Sequence, residues 1–307
     1  MKRRDFFKAG AGLLAGASLS LGDIRRLAGA PFLHPGDTYD LVAVKGGEPD
    51  VMFDKAMESL GGLKAFVKPN QKVVVKPNIG WDCAPERAAT THPGLVARII
   101  KRCLEAGAKE VYVFDNTCDQ WNKCYQTSGI EKAVKDAGGK IVPGNAEGYY
   151  QEVEIGSGRK LKKARVHELI LGSDVFINVP ILKHHSSADV TICMKNLMGV
   201  VWDRGFWHRN DLQQCIADYA SYQRKPHLNV VDAYRVMMKH GPKGVSVDDV
   251  TLAKTLIVSK DIVAADAAAA KVFGSEPQDI PHIRIAADMG IGTLDLDSLN
   301  INRIKLS

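Results

Sequence analysis

The sequence lacks the short motifs that announce most nucleotide and cofactor chemistry. It has no P-loop to cradle a polyphosphate, no glycine-rich dinucleotide turn and no serine nucleophile elbow. It has six cysteines, at 83, 103, 118, 124, 193 and 215, but no C-x-x-C pair among them. A ferredoxin-type cluster run is therefore excluded. Cys103 falls on an apolar helical stripe and reads as core. Cys118 and Cys124 are close enough in sequence to form a disulfide in an oxidising compartment. No internal repeat is present, and no low-complexity tract follows the first thirty residues.

Long apolar runs are also missing. The uncharged stretch from Ala9 to Gly22 is too short and too glycine-rich to span a bilayer, so no stable membrane anchor is expected there. A large charge excess is missing too. The chain carries +6, but residues 1–30 hold six basic side chains against Asp5 and Asp23. The remainder is only +2, which gives no electrostatic reason to expect nucleic acid as a partner. The basic cluster Lys160–Lys163 reads as a solvated strand or hairpin face.

The N-terminus has a definite layout. Met1–Lys8 reads MKRRDFFK, followed by an apolar run and then small residues. That order is the logic of a signal peptide, and Arg3-Arg4 select the twin-arginine subtype. The competing reading is an amphipathic helix. The twin-arginine reading implies the twin-arginine translocation machinery as a partner and a periplasmic or extracytoplasmic location. Cleavage after Ala28-Gly29-Ala30 is opposed by Pro31, and Ala15-Gly16-Ala17 is the alternative. Twin-arginine substrates typically fold before export, so six cysteines alone do not establish disulfides.

Residues 31–307 read as a single α/β domain. Strands are expected at Tyr39–Val44, Lys72–Lys76, Val111–Phe114, Asp174–Asn178, Leu228–Val231 and Thr255–Val258. A helix runs from Pro93, with Leu95, Val96, Ile99, Ile100, Cys103 and Leu104 on one face and Thr91 as its cap. Further helices are expected at Ile130–Asp136, Asp211–Tyr222 and Ile262–Phe273, and Val190–Val201 shows one apolar helical face. The alternation predicts a largely parallel central sheet with helices on both faces. Gln151–Val166 reads as a small antiparallel excursion.

In such folds, ligands bind beyond the carboxyl ends of the strands. Those ends deliver Lys76 and Asn78, Asp115 and Asn116, Asn178 followed by Lys183 and His184, and Asp232. Together they predict a polar, lysine-rich rim suited to a small anionic ligand. Thr91 and His92, at a helix start, suit an anion through free N–H groups. Lys195 either snorkels to water or turns inward to meet an anion, with Asn196 beside it. Asp266 sits among alanines and must be paired or protonated, with one of these lysines or asparagines as its expected partner. A structural bridge and a direct role both fit. His184-His185 could hold a metal only with further ligands such as Asp189, His208 or Asp232, and the spacing matches no standard pattern. Lys183, His184, Lys195 and Asp232 are the candidate catalytic groups; the cofactor is left unknown.

Several stretches, in this order, resemble the domain-of-unknown-function family 362 in its exported form. They are VVKPNIG (74–80), TTHP (90–93), EAGAKEVYVFD (105–115), Ser128-Gly129, DVFINVPILKH (174–184), DVTICMKNLMG (189–199) and VAAD (263–266). The resemblance covers about residues 70–290. Some relatives append ferredoxin-like clusters, which implies redox surroundings, but the cysteines for them are missing here. Two functions follow. One is an enzyme-like protein with a pocket for a small anion or metal. The other is a non-catalytic cofactor-binding or maturation partner of periplasmic redox enzymes.

Overall fold

The computed structural model describes residues 39–307; the segment read as a signal lies outside them. The first half holds β1 (Leu41–Lys45), α1 (Pro49–Ser59), β2 (Lys72–Pro77), α2 (Pro93–Glu105) and β3 (Glu110–Val113). Next come α3 (Trp121–Thr127), α4 (Ile130–Asp136), β4 (Lys140–Ile141), β5 (Tyr150–Glu154) and β6 (Lys163–His167). Then follow α5 (Glu168–Gly172), β7 (Val175–Val179), β8 (Ile181–His185), β9 (Asp189–Thr191), α6 (Cys193–Asn196) and α7 (Arg204–Arg209). The chain continues through α8 (Leu212–Ala220), β10 (Leu228–Met237), β11 (Val250–Ser259), α9 (Ile262–Phe273), α10 (Pro281–Asp288) and β12 (Ile301–Lys305).

The main sheet runs in the order β12-β1-β11-β10-β7-β2-β3-β4, with β8 and β9 continuing off β10. All pairings along it are parallel except those made by β11 and by β9. β5 and β6 form a separate antiparallel pair, the excursion expected from the charged alternation.

Side chains on a strand alternate between faces, so each central strand feeds two cores. Val73, Val75, Val111, Val113, Val175 and Ile177 pack with α1 to α4 on one face. Val74, Phe114, Phe176, Ala233 and Ile257 pack with α6, α8, α9 and α10 on the other. Lys76 shares the parity of Val74, and Asn178 that of Phe176. Both therefore point to the α6 side. Asp232 shares the parity of Val230 and points to the α2 side.

Three local features position the site. Pro180 interrupts β7, but the chain resumes as β8 along the same neighbour: Asn178 registers on Asn229 and Ile181 on Asp232. Proline has no N–H for the ladder, so the strand bends there rather than ending. The apolar stretch 190–201, expected as one helical face, instead divides into β9, the single turn of α6 and a 3-10 turn at Leu197–Val200. The reason is Asp266 on α9. Its carboxylate accepts the N–H groups of Cys193 (2.6 Å) and Met194 (3.1 Å), so the helix starts at Cys193 and not before. The alanines of α9 let it approach closely enough to do this. Asp261 caps α9 through Val263 N–H and Ala264 N–H, and Gly274 at φ +100° ends it.

All six cysteines are free thiols, so Cys118 and Cys124 are not bridged; Cys124 is buried and Cys118 is exposed. No helix among the described residues is long and apolar enough to cross a membrane.

Candidate functional site

A cavity of about 730 Å³ opens beyond the carboxyl ends of β2 and β3, between β8 and the α6–α7 segment. Its floor is an ion pair. Lys76 is the last residue but one of β2, and Asp115 lies just beyond β3. The Lys76 ammonium lies 2.9 Å from Asp115 Oδ1, with 1% and 3% of the two side chains exposed. Lys76 also donates to Asn196 Oδ1 (2.8 Å), and Asp115 Oδ2 accepts the N–H of Ile79 (2.6 Å). Burial holds Lys76 below the ordinary lysine range, and Asp115 works against that. Gly199 lies directly over the pair. A Cβ there would overlap Asp115 Oδ1 and Lys76 Nζ, so this position requires glycine.

The floor is held by a relay of amides. Asn196 Oδ1 also accepts from Asn78 Nδ2 (3.1 Å), and Asn196 Nδ2 donates to Asn178 Oδ1 (2.9 Å). Asn178 Nδ2 in turn donates to Asn229 Oδ1 and Cys193 O. Asn178 thus supports the cavity from beneath and does not line it.

Two lysines on the walls have no carboxylate partner. Lys183, on β8, is 1% exposed. It donates to the Ala89 carbonyl and, at 3.4 Å, to Asn78 Oδ1. Burial pushes it down to about 7, and Lys195 adds to the effect. Lys195 is half-buried, lines the cavity and makes no hydrogen bond or ion pair to any described residue. Burial pushes it down to about 8, with Arg204 and Lys76 adding to the effect.

His185 lies two residues beyond Lys183, on the same face of β8. Its Nδ1 accepts the N–H of Ser187 (3.2 Å). Burial, then Lys195 and Lys183, push it down to about 2, so the ring is neutral. Its proton therefore sits on Nε2, which leaves that atom a donor. Arg204 holds the loop after Asp115: it donates to Asn116 O (2.8 Å), Thr117 O (2.7 Å) and Cys118 Sγ (3.3 Å). Trp81, Trp202 and His208 complete the mouth.

Of the residues expected at the site, Lys76, Asn78, Asp115, Lys183, Lys195 and Asn196 meet in this cavity. The others are placed elsewhere for definite reasons. His184 points to the opposite side of β8 from Lys183, and its Nδ1 accepts the N–H of Gly241 (3.1 Å). Asp232 lies on the other face of the sheet, where it accepts the N–H groups of His92 (2.7 Å) and Tyr234 (3.0 Å). His92, and not Thr91, caps α2, through Nδ1 to Gly94 N–H. Thr91 Oγ1 accepts from Asn78 N–H (2.8 Å) and donates to Val179 O (2.7 Å), tying β2 to β7. Asp266 serves the start of α6, so its partners are backbone N–H groups rather than the lysines or asparagines expected. With His184 and His185 on opposite sides and Asp232 behind the sheet, the suggested metal ligands do not converge. Among the described residues, no three His, Cys, Asp or Glu side chains gather to hold a metal.

Trp81, Thr191 and Arg165 reach the cavity without having been singled out, and His185 and Cys118 reach it in place of the metal-ligand and disulfide roles considered for them. For His185 the signal existed, since strand alternation puts it beside Lys183. Arg165 comes from the distant β5–β6 pair, and no local pattern points to it.

The chain is 26% identical over 243 residues to a thylakoid-associated protein of Synechocystis sp., covering 76% of this chain and 73% of that one. Among solved structures, the lactate racemase apoprotein from Thermoanaerobacterium thermosaccharolyticum aligns with 84% of this chain at 12% identity and a TM-score of 0.45. The chain spans 58% of that protein's length, and a likeness this distant says nothing about activity. The family model described as "Domain of unknown function (DUF362)" matches residues 73–271. The motif order, now seen as one assembled cavity, and that match over most of the described chain agree: the protein is a member of the DUF362 family.

Proposed function

We propose that this chain is exported by the twin-arginine route and binds a small anionic ligand in the lysine-rich cavity, where Lys183 exchanges a proton with it. One observation carries the ligand class. Lys183 is buried and Lys195 half-buried, and neither forms an ion pair with a carboxylate. Five basic side chains, Lys76, Arg165, Lys183, Lys195 and Arg204, line the cavity against the carboxylates of Asp115 and Asp203. Asp115 is already committed to Lys76. Withdrawn charges are normally paired, so the missing partner belongs to the ligand.

The geometry supports a division of labour. Lys183 and Lys195 would hold a carboxylate or phosphate group, and the Nε2–H of His185 would donate a neutral hydrogen bond. A lysine near pH 7 can both give and take a proton under working conditions, which suits an acid–base role. The second reading is a non-catalytic carrier or maturation partner of redox enzymes. Export of folded, cofactor-loaded proteins is what favours it.

Titration calorimetry with inorganic phosphate and with small mono- and dicarboxylates tests the first reading. Lys183→Ala removes one charged hydrogen bond, so affinity for the best probe should fall about 10- to 100-fold. Absence of binding by every probe, or unchanged affinity in both Lys183→Ala and Lys195→Ala, would overturn it. A stoichiometric metal or a visible absorption band in protein purified without oxygen would favour the second.

A further inference from the structure

A second cavity, of about 440 Å³, adjoins the first and differs from it in chemistry. It lies between β6 and α7. Leu161, Val201 and Trp207 form its buried lining, and Phe206 and Ala164 add half-buried apolar surface. The two cavities share Arg165 and Asp203. Arg165 stands at the junction, where its guanidinium pairs with Glu147. That pair is solvent-exposed, with side-chain exposures of 36% and 60%, so it holds Arg165 only weakly. The stems of Lys160, Lys162 and Lys163 border the apolar cavity. Lys163 is engaged by Glu152 and Glu154, and Lys162 by the Gly158 carbonyl.

Resting on the anion-binding reading, we propose that the two cavities form one bipartite site for an amphipathic anion. Its charged head sits on Lys183 and Lys195, and its hydrocarbon tail passes Arg165 into the groove of Leu161, Val201, Phe206 and Trp207. A cationic cavity alone would suit any small anion. A shared wall leading directly to an apolar groove selects an anion that carries apolar surface of its own. The rim basic groups favour the same ligand, because they lay aliphatic stems along a chain and keep their charges in water.

The experiment is a homologous series, n-alkyl phosphates from methyl to octyl, titrated below their micelle concentrations against the full-length protein. Affinity should rise about fourfold for each added methylene until the groove is full. Ala164→Phe fills the groove without touching the lysines, so it should bind methyl phosphate normally and lose the gradient. Phe206→Ser should flatten the gradient if Ala164→Phe fails to fold. Lys183→Ala should weaken every member of the series. Equal affinity for methyl and octyl phosphate would overturn the bipartite site and leave the anion cavity standing. A gradient that persists in folded Ala164→Phe and Phe206→Ser would place the tail elsewhere, and undiminished affinity of every member in Lys183→Ala would place the head elsewhere; either would overturn it as well. No binding by any member would remove the anion reading itself.

Discussion

Lys183 is an ordinary lysine whose surroundings change what it does. Its folded-state value of about 7 lies well below the usual 10.5. Between those values the unfolded chain holds a proton that the folded chain does not. Stability from this group therefore rises with pH from about 7 to about 10, by at most about 1.4 kcal/mol per pH unit. A bound anion favours the ammonium, draws a proton in and flattens the slope. Urea midpoints at pH 7, 8 and 9 should rise in the ligand-free protein and rise less at saturating anion. A flat ligand-free profile would contradict the assignment. His185 adds its own slope below about pH 7, between its folded value of about 2 and the ordinary 6.5, and little above it, where the imidazole is neutral in both states.

The same scale shows what sequence reasoning can reach. Lys76, Asn78, Asp115 and Lys183 were legible because strand ends in an open α/β sheet converge. Asp232 obeyed that rule in sequence and escaped it in space. A strand end delivers side chains to two faces, and parity decides which. Counted from Val230, Asp232 belongs with α2; counted from Lys183, His185 belongs in the cavity and His184 does not. Asp266 was read correctly as buried and committed. Its partners were backbone N–H groups, which carry no letter in a sequence.

Among the elements, the α6 turn matters most. Four residues cannot make a stable helix by themselves. α6 is fixed at its start by Asp266 and at its end by Asn196, within the amide relay. The 3-10 turn that follows brings Gly199 over the Lys76–Asp115 pair. Gly199→Ala should force the pair apart, lower thermal stability and reduce anion affinity at least tenfold, since disrupting a buried pair costs about 3 kcal/mol or more. Thermal melts and calorimetry on the same preparation would check this; native values for both would show that the cavity tolerates the methyl group. The apolar periodicity of 190–201 misled because strand, helix and 3-10 turn all present buried faces here, and periodicity does not see the cap on another element. β8 was missed for a related reason. Pro180 marks a break in local hydrogen bonding, whereas the long partner β10 runs past it and keeps both pieces in one sheet.

For the whole molecule, the twin-arginine reading makes a prediction independent of the cavity. Fusing residues 1–38 to a reporter that folds in the cytoplasm should carry it out of the cell interior, and Arg3→Lys with Arg4→Lys should retain it. Fractionation would decide, and export of the doubly substituted fusion would remove the reading. The layered architecture was legible as a whole, because buried parallel strands and amphipathic helices have distinct periods. β12 was not, since its sequence, INRIK, mixes polar and apolar residues at a sheet edge.

The clasp at the start of α2 has a consequence for how this body transmits change. Thr91 exchanges two hydrogen bonds with the backbone of Asn78, while the next residue, His92, is held by Asp232 from behind the sheet. Asn78 in turn touches both Asn196 and Lys183. The α2 start is thus a lever whose fulcrum is the top of β2. Asp232→Ala, on the side of the sheet facing away from the cavity, should be read out in calorimetry as weaker anion binding in front of it.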